Sequence, residues 1–465
     1  MPKRSKNFPP LTRRALLAGA AATAALAPTG LRAVHHGAGE AAKHKLIVLN
    51  PGHFHAALTL RQSHPRLDDV VHVYAEDGPD VDNFLRIVNS FNARADNPTS
   101  WDIRVYRGAD FFERLLAERP GDMVVISGKN DSKMASIHRL QAEGFLVLGD
   151  KPWLIDEVDV PLLAPTTSGA PLAMDIMTER QVETYRLQKA LAARPEIFGQ
   201  WHTAGDKPAV SLRTVHHLYK IVNNAPLVRP AWFFDTAIQG EGTNDVTTHL
   251  ADLAQWMAGE KKPFDYDRDV TLRAARQWPT EVPLDIFLQI TKLDSFPQAL
   301  QGAVSGDVLN YLCNAHIAYD LRGVPVEIDS LWDLALPPGG SDTHLSVLRG
   351  TKAEITVELG PETDFISTLS IRQTTPSRGF AGGLMRALED QGEQYPGLDM
   401  INEGGAYRVI IPDALRTRHE EHFAAVLDEY LAYVDSGSWP DNLGPDIVCK
   451  YTLLARAKAL SHQAG

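Results

Sequence analysis

The stretch that most constrains this chain is Lys45-Leu46-Ile47-Val48-Leu49, a continuous apolar run that ends at the turn residues Asn50-Pro51-Gly52. Phe54, Ala57 and Leu58 follow at helical spacing. A strand apolar at consecutive positions is buried on both faces, the signature of a parallel strand covered by helices on either side. The same pattern returns: Val70 to Ala75, Met123 to Ser127 and Phe145 to Leu148 read as strands, and Met134, Ile137 and Leu140 mark a helix that ends near Gly144. Strand and helix in alternation demand right-handed crossovers, so the predicted class is α/β with an N-terminal doubly wound parallel sheet.

Asp80 to Trp101 is long for a connection and reads as an inserted helix with a loop near the strand ends. From about Thr178 the texture changes. Val210 to Val215, Ala231 to Asp235, Gln301 to Val304, Ala315 to Leu321, Val326 to Leu334 and Ala353 to Leu359 are strand-like with few helices between them. That run predicts a second, α+β domain with a large, mainly antiparallel sheet. Ala414 to Val434 and Asp446 to Leu460 are helical by periodicity. The expected organisation is a nucleotide-binding domain over 44–177 and a substrate domain with C-terminal helices over 178–465, which fits the two or three domains that 465 residues call for.

Residues 1–33 carry six basic residues, Lys3, Arg4, Lys6, Arg13, Arg14 and Arg32, and no acidic one. The apolar stretch from Ala15 to Ala27 is too short to span a bilayer comfortably. A basic start, a short apolar run and a small residue near Ala33 read as a signal peptide, and the paired arginines specify the twin-arginine type, with a linker over 34–43. Export, with a periplasmic or comparable location, is the expectation, and no later stretch approaches transmembrane length. The segment also masks the charge of the rest: the net −12 of the whole chain averages a basic leader with a more acidic body. An acidic body argues against a nucleic-acid partner. Two cysteines, Cys313 and Cys449, exclude a disulfide scaffold.

Three pieces carry chemistry. In Asn50-Pro51-Gly52-His53-Phe54-His55-Ala56 a strand-to-helix turn can present backbone N–H groups to a pyrophosphate, although of the fingerprint G-x-G-x-x-G only Gly52 remains. Glu76, after the second strand, stands where a carboxylate can accept hydrogen bonds from a ribose diol; it reads equally well as a solvated loop residue. Gly149-Asp150-Lys151-Pro152 projects Lys151 from the carboxyl end of a buried strand, where open α/β sheets bind ligands. In Gly240 to Asp252, the residues Asp245, Thr248, His249 and Asp252 fall on one helical face, which predicts that Asp245 orients the His249 imidazole and raises its basicity. A histidine so held can take the proton of an alcohol. A capping aspartate with a satisfied core histidine is the plainer reading of the same helix. No further ligand stands at obvious spacing, so no metal site is expected.

Together the pieces resemble the glucose-fructose oxidoreductase, inositol dehydrogenase and rhizopine-catabolism (Gfo/Idh/MocA) family. Asp150-Lys151-Pro152 is similar to its E-K-P motif with Asp for Glu, Gly52-His53-Phe54-His55 to the end of its nucleotide loop, and Trp232, Gly240, Gly242, Asp245, His249 and Asp252 to its late signature. Asn130 and Gly144 fall at matching spacing, and Arg349-Gly350-Thr351 resembles its late turn. The resemblance runs through nearly the whole mature chain, closest to an exported branch. It implies a Rossmann-type first domain, NAD or NADP as cofactor, and a small-molecule carbohydrate as substrate. Lys151, Asp245 and His249 are then the expected catalytic set, and Gly52, His53, Phe54, His55, Glu76, Asn130, Lys151 and Pro152 the cofactor-side residues. Arg180, His216, His217, Arg229 and Trp232 are candidates around the substrate. The shortened glycine loop and Thr247, where many relatives carry glycine, depart from the pattern.

The function this implies is NAD(P)-dependent oxidation or reduction at a hydroxyl of a sugar, sugar derivative or polyol, with tightly held cofactor. A glycoside hydrolase or lyase that oxidises a ring hydroxyl transiently, and a sugar-binding relative without chemistry, stay open beside it, as does assembly into a homo-oligomer.

Overall fold

The computed structural model describes residues 43–167, 171–222, 225–259, 262–337 and 339–463. The leader and linker expected over 1–43 lie, but for residue 43, outside them. The first sheet has six parallel strands, β1 (His44–Leu49), β2 (Leu67–Ala75), β3 (Asp102–Arg107), β4 (Met123–Ile126), β5 (Leu146–Gly149) and β6 (Ala173–Asp175). Their spatial order is β3-β2-β1-β4-β5-β6, the doubly wound arrangement predicted from the alternation.

The apolar run that opened the sequence analysis explains why β1 sits at the centre. Ile47 and Leu49 enter the hydrophobic layer on one face with Val124, Ile126 and Val147. Leu46 and Val48 enter the other with Val71, Val73, Val125 and Leu148. All four β1 side chains are at most 1% exposed. Burying each is worth roughly 1.5–3 kcal/mol, so a polar residue at any of these four positions would be costly. Asp80 to Trp101 holds the helix Pro79–Ala93 and a loop, as expected.

The second sheet has β7 (Val210–Tyr219), β10 (Val270–Pro283), β11 (Val304–Ser305), β12 (Val308–Leu321), β13 (Val324–Ala335), β14 (Thr343–Arg349), β15 (Ala353–Leu359), β16 (Thr368–Gln373), β17 (Asp399–Asn402) and β18 (Tyr407–Ile410); β8 (Ile221–Val222) and β9 (Ala225–Pro226) form a separate short pair. The order is β10-β12-β13-β7-β14-β15-β16-β18-β17, with β11 on β12. Every pairing in it is antiparallel except β13 with β7, so the sheet is mainly antiparallel as predicted.

Two expected strands are not strands. Ala231–Phe234 is a 3-10 turn following Pro230, and Asp235 ends it by accepting a hydrogen bond from the Ala237 amide, which caps the next short helix. Gln298–Ala303 is likewise a 3-10 turn, with only Val304 and Ser305 extended. The first run is apolar because it is packed, with Phe233 and Phe234 4% and 2% exposed within a cluster built on Tyr311, Phe287 and Trp332, whereas in the second only Leu300 is buried. The two C-terminal helices return to the first sheet. His419–Ser436 buries Phe423, Val426, Leu427, Tyr430 and Leu431 against the β1–β2 face, and Leu443–Gln463 stacks Tyr451 on Trp153. Among the described residues no helix is long and apolar enough to cross a membrane.

Candidate active site

The chain segments that converge at the carboxyl edge of the first sheet come from both halves of the sequence. β5 ends at Gly149, and a Cβ there would fall 2.7 Å from Trp153 Nε1, so the chain turns tightly into Asp150 and Lys151. Asp150 is 1% exposed. Its carboxylate accepts from Lys133 Nζ at 2.5 Å and from Ser127 Oγ at 2.7 Å. The Nδ1 atoms of His53 and His55 each lie 3.3 Å from its Oδ2. Neither contact is aligned as a hydrogen bond, and both Nδ1 atoms are buried without a hydrogen-bond partner among the described residues. Lys133 and the two histidines hold Asp150 well below the usual carboxylate range against the cost of burial, while burial keeps both imidazoles below the ordinary histidine value.

Ligand atoms of His53, His55 and Asp150 lie within 4.8 Å of one another, close enough to share an ion, a grouping the sequence did not predict. Lys133 already supplies the countercharge at 2.5 Å, so the carboxylate needs no cation from outside.

Lys151 donates to Asp245 Oδ1 at 2.5 Å, in a pair whose side chains are 8% and 11% exposed. Here the sequence reading needs correction. The helix starts at Thr247, which leaves Asp245 in the preceding turn, bound to Lys151 and not to His249. His249 keeps a buried Nδ1 with no partner among the described residues. Its pKa is lowered well below 6.5, first by burial and then by Lys151, the opposite of the raised basicity expected. The lysine lowers Asp245 in turn, overcoming its desolvation.

A cavity of about 260 Å³ joins these groups. His53, Phe54, His55 and Lys151 line it from the first sheet, Asp245 and His249 from the helix Thr247–Ala258 and the turn before it. His216 on β7, Trp332 on β13 and His344 on β14 line it from the second sheet, together with Glu179, Lys220, Arg229, Asp342 and His419. Asp342 is bound by His216 and His217 Nδ1 at 3.0 Å each and by Lys220, and its carboxyl is held far below its ordinary value. His344 is lowered to about 3 by burial beside His216. Burial raises Glu179, against His419 and Lys151.

Other predicted residues lie elsewhere. Arg180 is held by Asp252 through two bonds of 2.6 Å each and faces a separate cavity. Asn130 is 3% exposed, donates to the Gln239 carbonyl at 2.8 Å and accepts from Lys133 at 2.7 Å. Trp232 donates to Asp80 and covers Gly52, where a Cβ would meet its ring at 3.2 Å. Pro152 is buried behind Lys151. The Gly52 and His53 amides both donate to the Ser127 carbonyl, at 2.8 and 3.3 Å, so this turn ties β1 to β4 and, contrary to expectation, these two amides are not free for a pyrophosphate. Glu76 is exposed just beyond β2, with Lys129 Nζ 3.4 Å away. Glu179, Lys220, Asp342, His344 and His419 escaped the sequence reading because they stand singly on a 3-10 turn, in loops, on a strand and at a helix start, with no motif about them.

Residues 187–462 match the family model described as "Putative oxidoreductase C terminal domain". An oxidoreductase-like protein of Parabacteroides merdae is 36% identical, with a TM-score of 0.87 over 91% of this chain and 98% of that one. GenD2 of gentamicin A biosynthesis, solved with NAD, is similar in fold at 16% identity and a TM-score of 0.56, over 95% of this chain and 98% of its own. So is the 3-ketoreductase KijD10 of Actinomadura kijaniata, solved with NADP, at 12% identity and 0.53 over 90% and 97%. A comparison with curated proteins finds no match. With the doubly wound sheet, the Asp150-Lys151-Pro152 edge and the matched C-terminal half on one chain, the protein belongs to the Gfo/Idh/MocA-type oxidoreductases.

Proposed function

We propose that this chain is a nicotinamide-dinucleotide-dependent oxidoreductase that acts on a hydroxyl of a sugar, sugar derivative or polyol. The observation that carries the reading is the Lys151–Asp245 pair at 2.5 Å in the same cavity as His249, at the carboxyl edge of a doubly wound sheet. That edge is where such sheets take dinucleotides.

The residues present fit such a cofactor. Gly52 faces Gly128, and a Cβ on Gly128 would fall 2.6 Å from the Asn50 carbonyl, so the two crossing loops are as close as glycine allows. The exposed Glu76 beyond β2 is placed to accept from a ribose diol, with Phe54 and Lys151 at the cavity end. Glu76 favours NAD, because a carboxylate there repels a 2′-phosphate. When bound, the cofactor supplies the hydride acceptor.

The chain's own residues handle the proton. Lys151, fixed by Asp245, donates to the substrate oxygen and stabilises developing negative charge on it. His249, neutral at pH 7 because its pKa lies well below 6.5, is in the form that accepts the hydroxyl proton. The starting state of the site therefore suits alcohol oxidation.

Incubation with NAD and a panel of sugars and glycosides tests the reading. Reduced cofactor should accumulate in proportion to oxidised sugar. Aglycone release without reduced cofactor would replace it with the transient-oxidation hydrolase or lyase.

A further inference from the structure

We propose that the substrate carries a carboxylate bound by Arg229, which makes a sugar acid, not a neutral sugar, the natural class. This rests on reading the cavity as an alcohol-oxidising site. Arg229 lines that cavity with its guanidinium carbon 4.5 Å from the Phe233 ring centre and 5.4 Å from that of Trp332. Its Nε and one terminal nitrogen reach only the main-chain carbonyls of Leu218 and His217, both at 3.4 Å, longer than a good N–H···O bond. It has no ion pair among the described residues. The other two cations of the lining are taken, Lys151 by Asp245 and Lys220 by Asp342.

An arginine keeps its charge under any protein condition, and a guanidinium partly taken from water, as that of Arg229 is, without a counterion is costly. Two aromatic faces offset part of that cost and leave the N–H edge to be paired. The acids that Arg229 senses, Asp245 and Asp342, are each held by a lysine. Glu179, the remaining acid of the lining, responds to His419 and Lys151 instead. One planar fork with no second free cation beside it matches a carboxylate monoanion; a phosphate dianion calls for more positive charge. The volume of about 260 Å³ lies below the roughly 300–1,000 Å³ of drug-sized ligand sites, which suits a single sugar unit.

The test compares glucuronate, galacturonate and gluconate with glucose, galactose and glucose phosphate on the NAD-loaded protein, by kcat/KM and by calorimetric binding. At least one acid should exceed its neutral parent by roughly tenfold or more in both measurements. Arg229→Gln should collapse that ratio, and Arg229→Lys should restore part of it; circular dichroism checks that both variants fold. The proposal is overturned if no acid binds better than its neutral parent, if Arg229→Gln keeps the ratio, or if glucose phosphate is preferred. Acid binding that needs Arg229 but gives no turnover would leave the carboxylate site standing and remove the oxidoreductase reading. Turnover of neutral sugars alone would do the reverse.

Discussion

At the scale of single residues, the arrangement turns on how three buried groups share charge. The family resemblance implied Lys151, Asp245 and His249 as one set, while the residues by themselves gave a lysine after β5 and, separately, the pattern Asp245-x-x-x-His249. That pattern mispaired them, because helical spacing was extended one turn too far: the helix begins at Thr247, and Asp245 is free to meet a lysine 94 positions away. With no carboxylate on its Nδ1, His249 is left to burial and to Lys151, both of which lower its pKa below 6.5. As general base it must be neutral, so the acid limb of kcat/KM for alcohol oxidation should fall below pH 6.5. A pH profile of the parent protein checks this. A limb at or above 6.5 would mean that another group takes the proton. The Asp342 cluster was illegible for a similar reason, since it joins His216 to a loop residue 126 positions later.

At the scale of elements, the helix Thr247–Ala258 is what holds His249 to the sheet, and its anchor is Asp252 near its middle. Asp252 is 1% exposed and accepts from Lys450 at 2.6 Å as well as from Arg180. Lys450 also reaches Asp175 on β6 at 2.7 Å, so the network ties the helix to the first sheet and to the helix Leu443–Gln463. Arg180, expected at the substrate, is part of this tie. Breaking a buried pair strands its partners, at a cost of about 3–5 kcal/mol. Asp252→Asn should lower unfolding stability by that order in urea titration; a loss under about 1 kcal/mol would show that the network does not bear on the helix. Strands that lie between helices, such as β1, β4 and β5, were legible from composition alone. The 3-10 turns at Ala231 and Gln298 were not, because stretches of four to six residues show no period, and at Ala231 burial makes the turn as apolar as a strand.

At the scale of the whole molecule, alternation in the first half and its loss in the second predicted one parallel and one mainly antiparallel sheet, and both are present. Less legible was the return of the last two helices to the first sheet, since amphipathic periodicity says that a face is buried and not against what. That return places His419 in the cavity, so the site draws on β1, β5, β7, β13, β14 and the C-terminal region at once. The central claim is that this shared cavity performs nicotinamide-linked chemistry on a hydroxyl, with Lys151 and His249 at the reacting oxygen. The most direct measurement is the rate of nicotinamide reduction by a turned-over sugar in the parent, Lys151→Met and His249→Ala proteins. Each substitution should lower kcat/KM by about 100-fold or more while the cofactor still binds. Rates within a few-fold of the parent in both variants would contradict the claim.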